Sequence, residues 1–174
     1  LLVAAAPAPS AASTLVVKGP VVLKAEKDPP IEGIDFMEVY NSEVFDLSDG
    51  KTYPQDEGKG HFGVRAVLSG RNDGTATLLS VVQKKNEKHR AVSFVNLGKV
   101  AFEAVKQAPA DGYSDTFPER RFALPGVKAG DVVAFRVTED GSKPTYGKIK
   151  FATVGLVSVF DYAWQKNGTR KLTK

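Results

Sequence analysis

Apolar and polar positions alternate with period two along most of this chain, most continuously over residues 131–164. Val133, Phe135 and Val137 alternate with Ala134, Arg136 and Thr138. A turn at Asp140-Gly141 follows, after which Tyr146, Lys148 and Lys150 alternate with Gly147, Ile149 and Phe151. A last run sets Leu156, Ser158, Phe160, Tyr162 and Trp164 on one face. Alternation broken by glycine-bearing turns is the pattern of antiparallel, half-buried strands.

The same grammar runs upstream. Residues 14–17 and 21–25 read as strands flanking Gly19-Pro20. Residues 27–33 carry Asp28-Pro29-Pro30 and read as a loop, because proline has no N–H to give to a ladder. Residues 37–47 hold one or two strands, ending at the turn Ser48-Asp49-Gly50-Lys51. A polar loop, 54–60, leads into 62–69; Asn72-Asp73-Gly74 then turns the chain into 75–83, and the tip 84–88 turns it again into 89–96. That order predicts a three-strand meander, with Asn-Asp-Gly as its clearest hairpin signal. Residues 99–107 fit two patterns: Val100, Phe102 and Ala104 suit a strand, and Val100, Ala101, Ala104 and Val105 suit a short helix. Residues 108–118 read as a loop and 121–124 as a short strand. With no fixed repeat and no long amphipathic helix, the expectation is one all-β domain over 14–164. It would be an antiparallel β-sandwich or partly open barrel of about eight to ten strands.

Composition narrows the chemistry. At 174 residues the chain is long enough for one substantial core. It has no cysteine, which removes disulfides, thiolate metal sites, cysteine nucleophiles and a lipidated cysteine from the given chain. The net charge of +4 sits in residues 165–174, QKNGTRKLTK, which hold Lys166, Arg170, Lys171 and Lys174 and no acid. The other 20 basic residues match the 20 acidic ones, so the body is formally neutral. A nucleic-acid binder shows a basic face across its fold, so no nucleic-acid partner is expected.

Residues 1–13, LLVAAAPAPSAAS, read as the remnant of a secretory signal or as an Ala/Pro-rich arm. The signal reading places the protein outside the cytoplasm of a bacterium, in the periplasm or at the cell surface. Both ends of the chain then read as arms flanking a compact body. Leu1, Leu2 and Val3 at one end, and Lys166, Arg170, Lys171 and Lys174 at the other, are the candidate partner-binding residues. The first group offers apolar contact, and the second suits an acidic protein surface or anionic lipid headgroups.

Motifs of catalysis fail on context. Gly58-Lys59-Gly60-His61-Phe62-Gly63 matches the dinucleotide fingerprint in letters, but a polar loop precedes it and an alternating strand follows. The fingerprint needs the reverse: a strand before it and a helix N-terminus after it. Ser48-Asp49-Gly50-Lys51 has the S-x-x-K spacing, yet Asp-Gly makes a turn where that motif must open a helix. The two histidines, His61 and His89, stand apart without a carboxylate close in sequence. Asp111, Asp115 and Glu119 suit Asx-type turns and match no EF-hand spacing. No catalytic residues are therefore assigned, and no cofactor or metal is expected. The basic tip Lys84, Lys85, Lys88 and Arg90 suits either a solvated hairpin end or contact with phosphates. The aromatic stripe Phe160, Tyr162 and Trp164 suits a core face or a ligand platform.

The closing block, GVKAGDVVAFRVTEDGSKPTYGKIKFATVGLVSVFDYAWQ (126–165), resembles the C-terminal part of secreted bacterial HmuY-like haem-binding β-proteins. Those also end in a strand, an Asp-Gly turn, a Tyr-x-Lys strand and a strand carrying Phe-x-Tyr. The resemblance implies an exported β-fold and, as an alternative function, a secreted small-ligand carrier with haem as the named ligand. Haem would be held through axial side chains, for which this chain has His61, His89 and Met37. The leading expectation is a non-catalytic structural or interaction module of the bacterial envelope. Its role would be that of an accessory subunit docked on a larger assembly of envelope proteins, with peripheral contact to the membrane.

Overall fold

The computed structural model describes residues 15–27, 39–54, 63–69, 74–81, 83–85, 88–114 and 123–173. Among them run twelve strand segments: β1 (Leu15–Lys27), β2 (Val39–Ser42), β3 (Val44–Asp46), β4 (Lys51–Tyr53), β5 (Gly63–Ser69), β6 (Thr75–Val81), β7 (Gln83–Lys85), β8 (Lys88–Asn96), β9 (Ala123–Lys128), β10 (Val132–Glu139), β11 (Thr145–Thr153) and β12 (Val157–Gln165). They build two antiparallel sheets of five strands each, stacked as a sandwich and not closed into a barrel.

One sheet has the order β1-β12-β11-β10-β8, with short β7 against the start of β8. In the other, β2 and β3 lie end to end along β5, β4 flanks β3, and β6 and β9 follow on the far side of β5. The end of β1 crosses over to pair with β2, so this strand forms a corner joining the two sheets. The crossing strand contains an irregularity between Lys18 and Val21, where Gly19 and Pro20 face the single residue Asp161. The two strands expected over 14–17 and 21–25 are thus one strand interrupted by a bulge. The bulge resets the phase, so that Leu23 is buried and Val22 and Lys24 are exposed.

Register explains the core. Phe94, Phe135, Gly147 and Trp164 form one row across the first sheet, and Val133, Ile149 and Tyr162 the next. Gly147 has no room for a side chain: a Cβ there would stand 2.1 Å from Cζ of Phe135 and 2.5 Å from the Ala163 carbonyl oxygen. From the opposite sheet, Phe45 meets Phe160 and Tyr162 edge-on, with ring centroids 5.4 and 4.9 Å apart. The stripe Phe160, Tyr162 and Trp164 is therefore core.

The predicted meander is half right. β5 and β6 pair as a hairpin, with Ala66 opposite Leu78. β8 leaves them and joins the other sheet beside β10, with Phe94 opposite Phe135. The edge of β8 is not bare. Its Val92 N–H donates to Ser80 Oγ, its Phe94 N–H donates to Ser114 Oγ, and its Phe94 carbonyl accepts from Ser114 N–H. Covered edges of this kind block strand addition.

The outer face of the first sheet carries a second layer. Residues 97–114 cross it as a loop with one 3-10 turn, Phe102–Ala104, where the sequence suited either a strand or a helix. The basic tail read from sequence over 165–174 begins inside the fold, since Gln165 ends β12, and residues 166–173 fold back onto that loop. Ala108 N–H donates to the Arg170 carbonyl and Leu172 N–H to the Lys106 carbonyl, both at 2.8 Å. Leu172 is 2% exposed. Its burial is the physical reason this segment is part of the body.

Candidate functional site

The turns at one end of the sandwich enclose a cleft of about 340 Å³, lined by residues from both sheets. Arg90 on β8 and Glu139 on β10 are directly opposed in register, which brings Arg90 Nε to 2.9 Å from Glu139 Oε2. The other side of the guanidinium reaches Ser48 in the β3–β4 turn, where Nη1 donates to Oγ at 3.5 Å. The β10–β11 turn supplies Ser142 and Lys143, and β11 opens with Thr145. Trp164, near the end of β12, closes the wall and donates from Nε1 to Thr145 Oγ1 at 3.0 Å. Lys166 Nζ lies 4.5 Å from the centroid of the Trp164 ring, a cation–π pair that holds the ammonium beside the opening.

Three cations and one carboxylate line this cleft. The hydroxyls sharpen the bias. Thr145 Oγ1 accepts from Trp164 and Ser48 Oγ accepts from Arg90, and each hydroxyl keeps one O–H to donate. The site is rich in donors and offers few acceptors.

A second polar centre lies under the outer layer. Lys148 projects from the outer face of β11 between Ala134 and Ala163, its register partners, whose small side chains leave room above it. It is 4% exposed, and Nζ donates to the carbonyls of Phe102 and Val105 at 2.7 and 2.8 Å. The Phe102 ring lies 4.4 Å from the same ammonium. Burial lowers its pKa below the usual lysine value, with nearby Glu103 opposing the shift. Beside it, Arg136 stacks over Tyr113 at 4.8 Å, and burial raises the Tyr113 phenol to about 12. This centre fastens the 97–114 loop to the sheet and opens into no cleft described here.

The residues singled out from sequence are dispersed. Lys166 lines the cleft; Arg170 instead donates to the Ala108 carbonyl at 3.4 Å, and Lys171 forms a bridge with Gln107. His89 pairs through its backbone with Lys84 in the β7–β8 hairpin, while its side chain lies outside the described residues. His61, Met37, Leu1, Leu2, Val3, Lys174, Asp115 and Glu119 also lie outside them. Ser48 stands in a turn, as expected, and Lys51 opens β4, its N–H donating to Asp49 Oδ1. Tyr53 donates to the other oxygen of Asp49, a hydrogen bond that raises the phenol to about 12. Among the described residues no three His, Asp or Glu side chains gather to hold a metal ion, and no helix is long and apolar enough to cross a membrane. Sequence reasoning missed Glu139 and Lys143, whose places depend on register across β8, β10 and β11. Arg90 had a signal in the basic tip, read as either a solvated hairpin end or a contact for phosphates.

Comparison of the chain with family models, curated proteins and solved structures finds no match. The functional reading therefore rests on the arrangement of residues.

Proposed function

We propose that the protein is a non-catalytic interaction module of a bacterial envelope assembly, docked through the outer face of its first sheet. One observation carries this reading. Where the outer layer ends, Val17, Val22, Leu156 and Val157 stand 50, 40, 48 and 50% exposed on β1, β12 and the turn before β12. A sheet face turned to water normally alternates to polar residues, and these positions are aliphatic. Exposed Lys24 lies opposite Val157, and exposed Lys171 belongs to the layer beside the strip. Exposed Asp161 stands between Val17 and Val22 on the same face, so an aliphatic strip bordered by charges of both signs suits a partner protein with an aliphatic surface and a polar rim. Full burial of such a side chain is worth about 1.5–3 kcal/mol, so covering the exposed half of each gains roughly 1 kcal/mol.

The test is co-purification of the native protein from its membrane fraction in mild detergent, beside a Val22→Lys/Val157→Lys double variant. Support is a defined complex that the double variant loses while its circular dichroism spectrum stays unchanged. A free monomer in the soluble fraction, the same for both proteins, overturns the reading. The haem alternative depends on His61 and His89 and is tested by titrating haem for a Soret shift that His61→Ala or His89→Ala abolishes. The cleft described above is lined by neither histidine nor methionine, and most of its lining side chains are polar.

A further inference from the structure

The cleft at the end of the sandwich has a chemistry of its own, independent of the apolar strip. We propose that it binds a small organic anion of sugar size, carrying a carboxylate or a phosphate monoester. Four observations converge on this class of ligand.

The first is charge. Arg90, Lys143 and Lys166 face one carboxylate, Glu139, whose Oε2 is engaged with Arg90 Nε. The lining is left with two positive charges in excess, inside a concavity where they reinforce each other. The second is hydrogen-bonding capacity. Thr145 and Ser48 each accept one hydrogen bond within the protein, from Trp164 and Arg90, and each keeps an O–H that a ligand acceptor can take. The third is preorganisation. Glu139 fixes the guanidinium from its register position on β10, and the Trp164 ring holds the Lys166 ammonium at 4.5 Å. Neither cation must be ordered from solution when a ligand arrives. The fourth is size. A volume of about 340 Å³ lies at the low end of the roughly 300–1,000 Å³ range of small-molecule sites. A monosaccharide fits such a volume.

An anionic sugar satisfies these features together. Its acid group meets Lys143 and Lys166, and its ring hydroxyls accept from Thr145 and Ser48. Its remaining hydroxyls donate to the Glu139 oxygen that faces the cleft. The binding has a built-in reporter, because Trp164 is the chain's single tryptophan and forms part of the wall. A ligand bound to Lys166 beside the indole face changes the emission of that one fluorophore.

The test is titration of the purified full chain with glucuronate, glucose 6-phosphate and glucose, followed by Trp164 emission and by amide chemical shifts. Expected are saturable changes with both anions, shifts centred on the β10–β11 turn, and no response to glucose. Lys143→Gln/Lys166→Gln should weaken the anions at least tenfold in the chemical-shift titration, since its altered indole environment makes emission a poor guide there. A rise from 20 to 300 mM salt should weaken binding in the wild-type chain. Equal response to glucose and glucuronate overturns the proposal. So does anion binding that the double variant leaves intact, or the absence of any saturable change with either anion.

Discussion

Replacing Lys148 by methionine tests whether the outer layer is fastened to the sheet by the buried ammonium. Methionine keeps most of the aliphatic stem and removes the charge and its donors. The Phe102 and Val105 carbonyls, 2.7 and 2.8 Å from Nζ, then lose their hydrogen bonds beneath the loop. Each bond from a charged donor is worth about 1.5–3 kcal/mol, giving a gross loss of about 3–6 kcal/mol. Against this stands the burial penalty of the ammonium, visible as its lowered pKa, which the variant no longer bears. The expected net loss is about 1–3 kcal/mol, measured by urea denaturation with an unchanged slope. The loss should be local in character, with amide exchange accelerated in residues 97–114 and 170–172. There is also a pH signature. Between the lowered folded-state pKa and the ordinary 10.5, the unfolded chain binds more protons than the folded one. Wild-type stability therefore gains a rising contribution across that window, and Lys148→Met loses it. Equal stability of the two proteins, with exchange over 97–114 unchanged, would refute the reasoning.

Three further outcomes are expected. Leu172→Ala removes a buried side chain from the folded-back segment and should cost about 2–3 kcal/mol, read by thermal or urea unfolding; a free tail would show no change. Gly147→Ala forces a methyl onto the Phe135 ring and the Ala163 carbonyl, so it should lower stability by at least about 1–3 kcal/mol, with Phe135→Leu in the same chain restoring part of it. Burial raises the phenols of Tyr113, to about 12, and Tyr162 above the usual 10, so the folded chain holds protons the unfolded chain has lost; their contribution to stability should fall as pH rises from 10 towards 12, and Tyr113→Phe should soften that fall in an alkaline urea series.

The alternation over 131–164 carried the fold in legible form, because Phe135, Ile149, Phe160 and Tyr162 are the inward positions of their strands and each is buried. Turn residues were equally plain: Gly50 and Gly141 take the positive φ values of 72° and 78° that their turns require. What a strand pairs with was less plain. A hairpin tip sets a local reversal, yet β7 and β8 belong to a different sheet from β6, and only the docking of Phe94 beside Phe135 settles that. Lys148 alternates outward like Tyr146 and Lys150, and no pattern along β11 distinguishes it; the loop that buries it is remote in sequence. The folded-back segment did hold a clue, a lone leucine among lysines, threonines and an arginine. The cleft was the least legible part, since Ser48, Arg90, Glu139, Lys143 and Lys166 meet only where turns from two sheets converge.

The pairing of β1 with β12 has a consequence for how the chain reaches this structure. Leu15 lies opposite Gln165 and Lys24 opposite Val157, so the first described strand waits for the last to complete the first sheet. Closing so wide an interval costs chain entropy before any ladder bond rewards it, which places this topology among slow folders. β12 also sits between β1 and β11 and brings Phe160, Tyr162 and Trp164 with it. A chain growing from its N-terminus lacks the centre of its core until residue 165 is available.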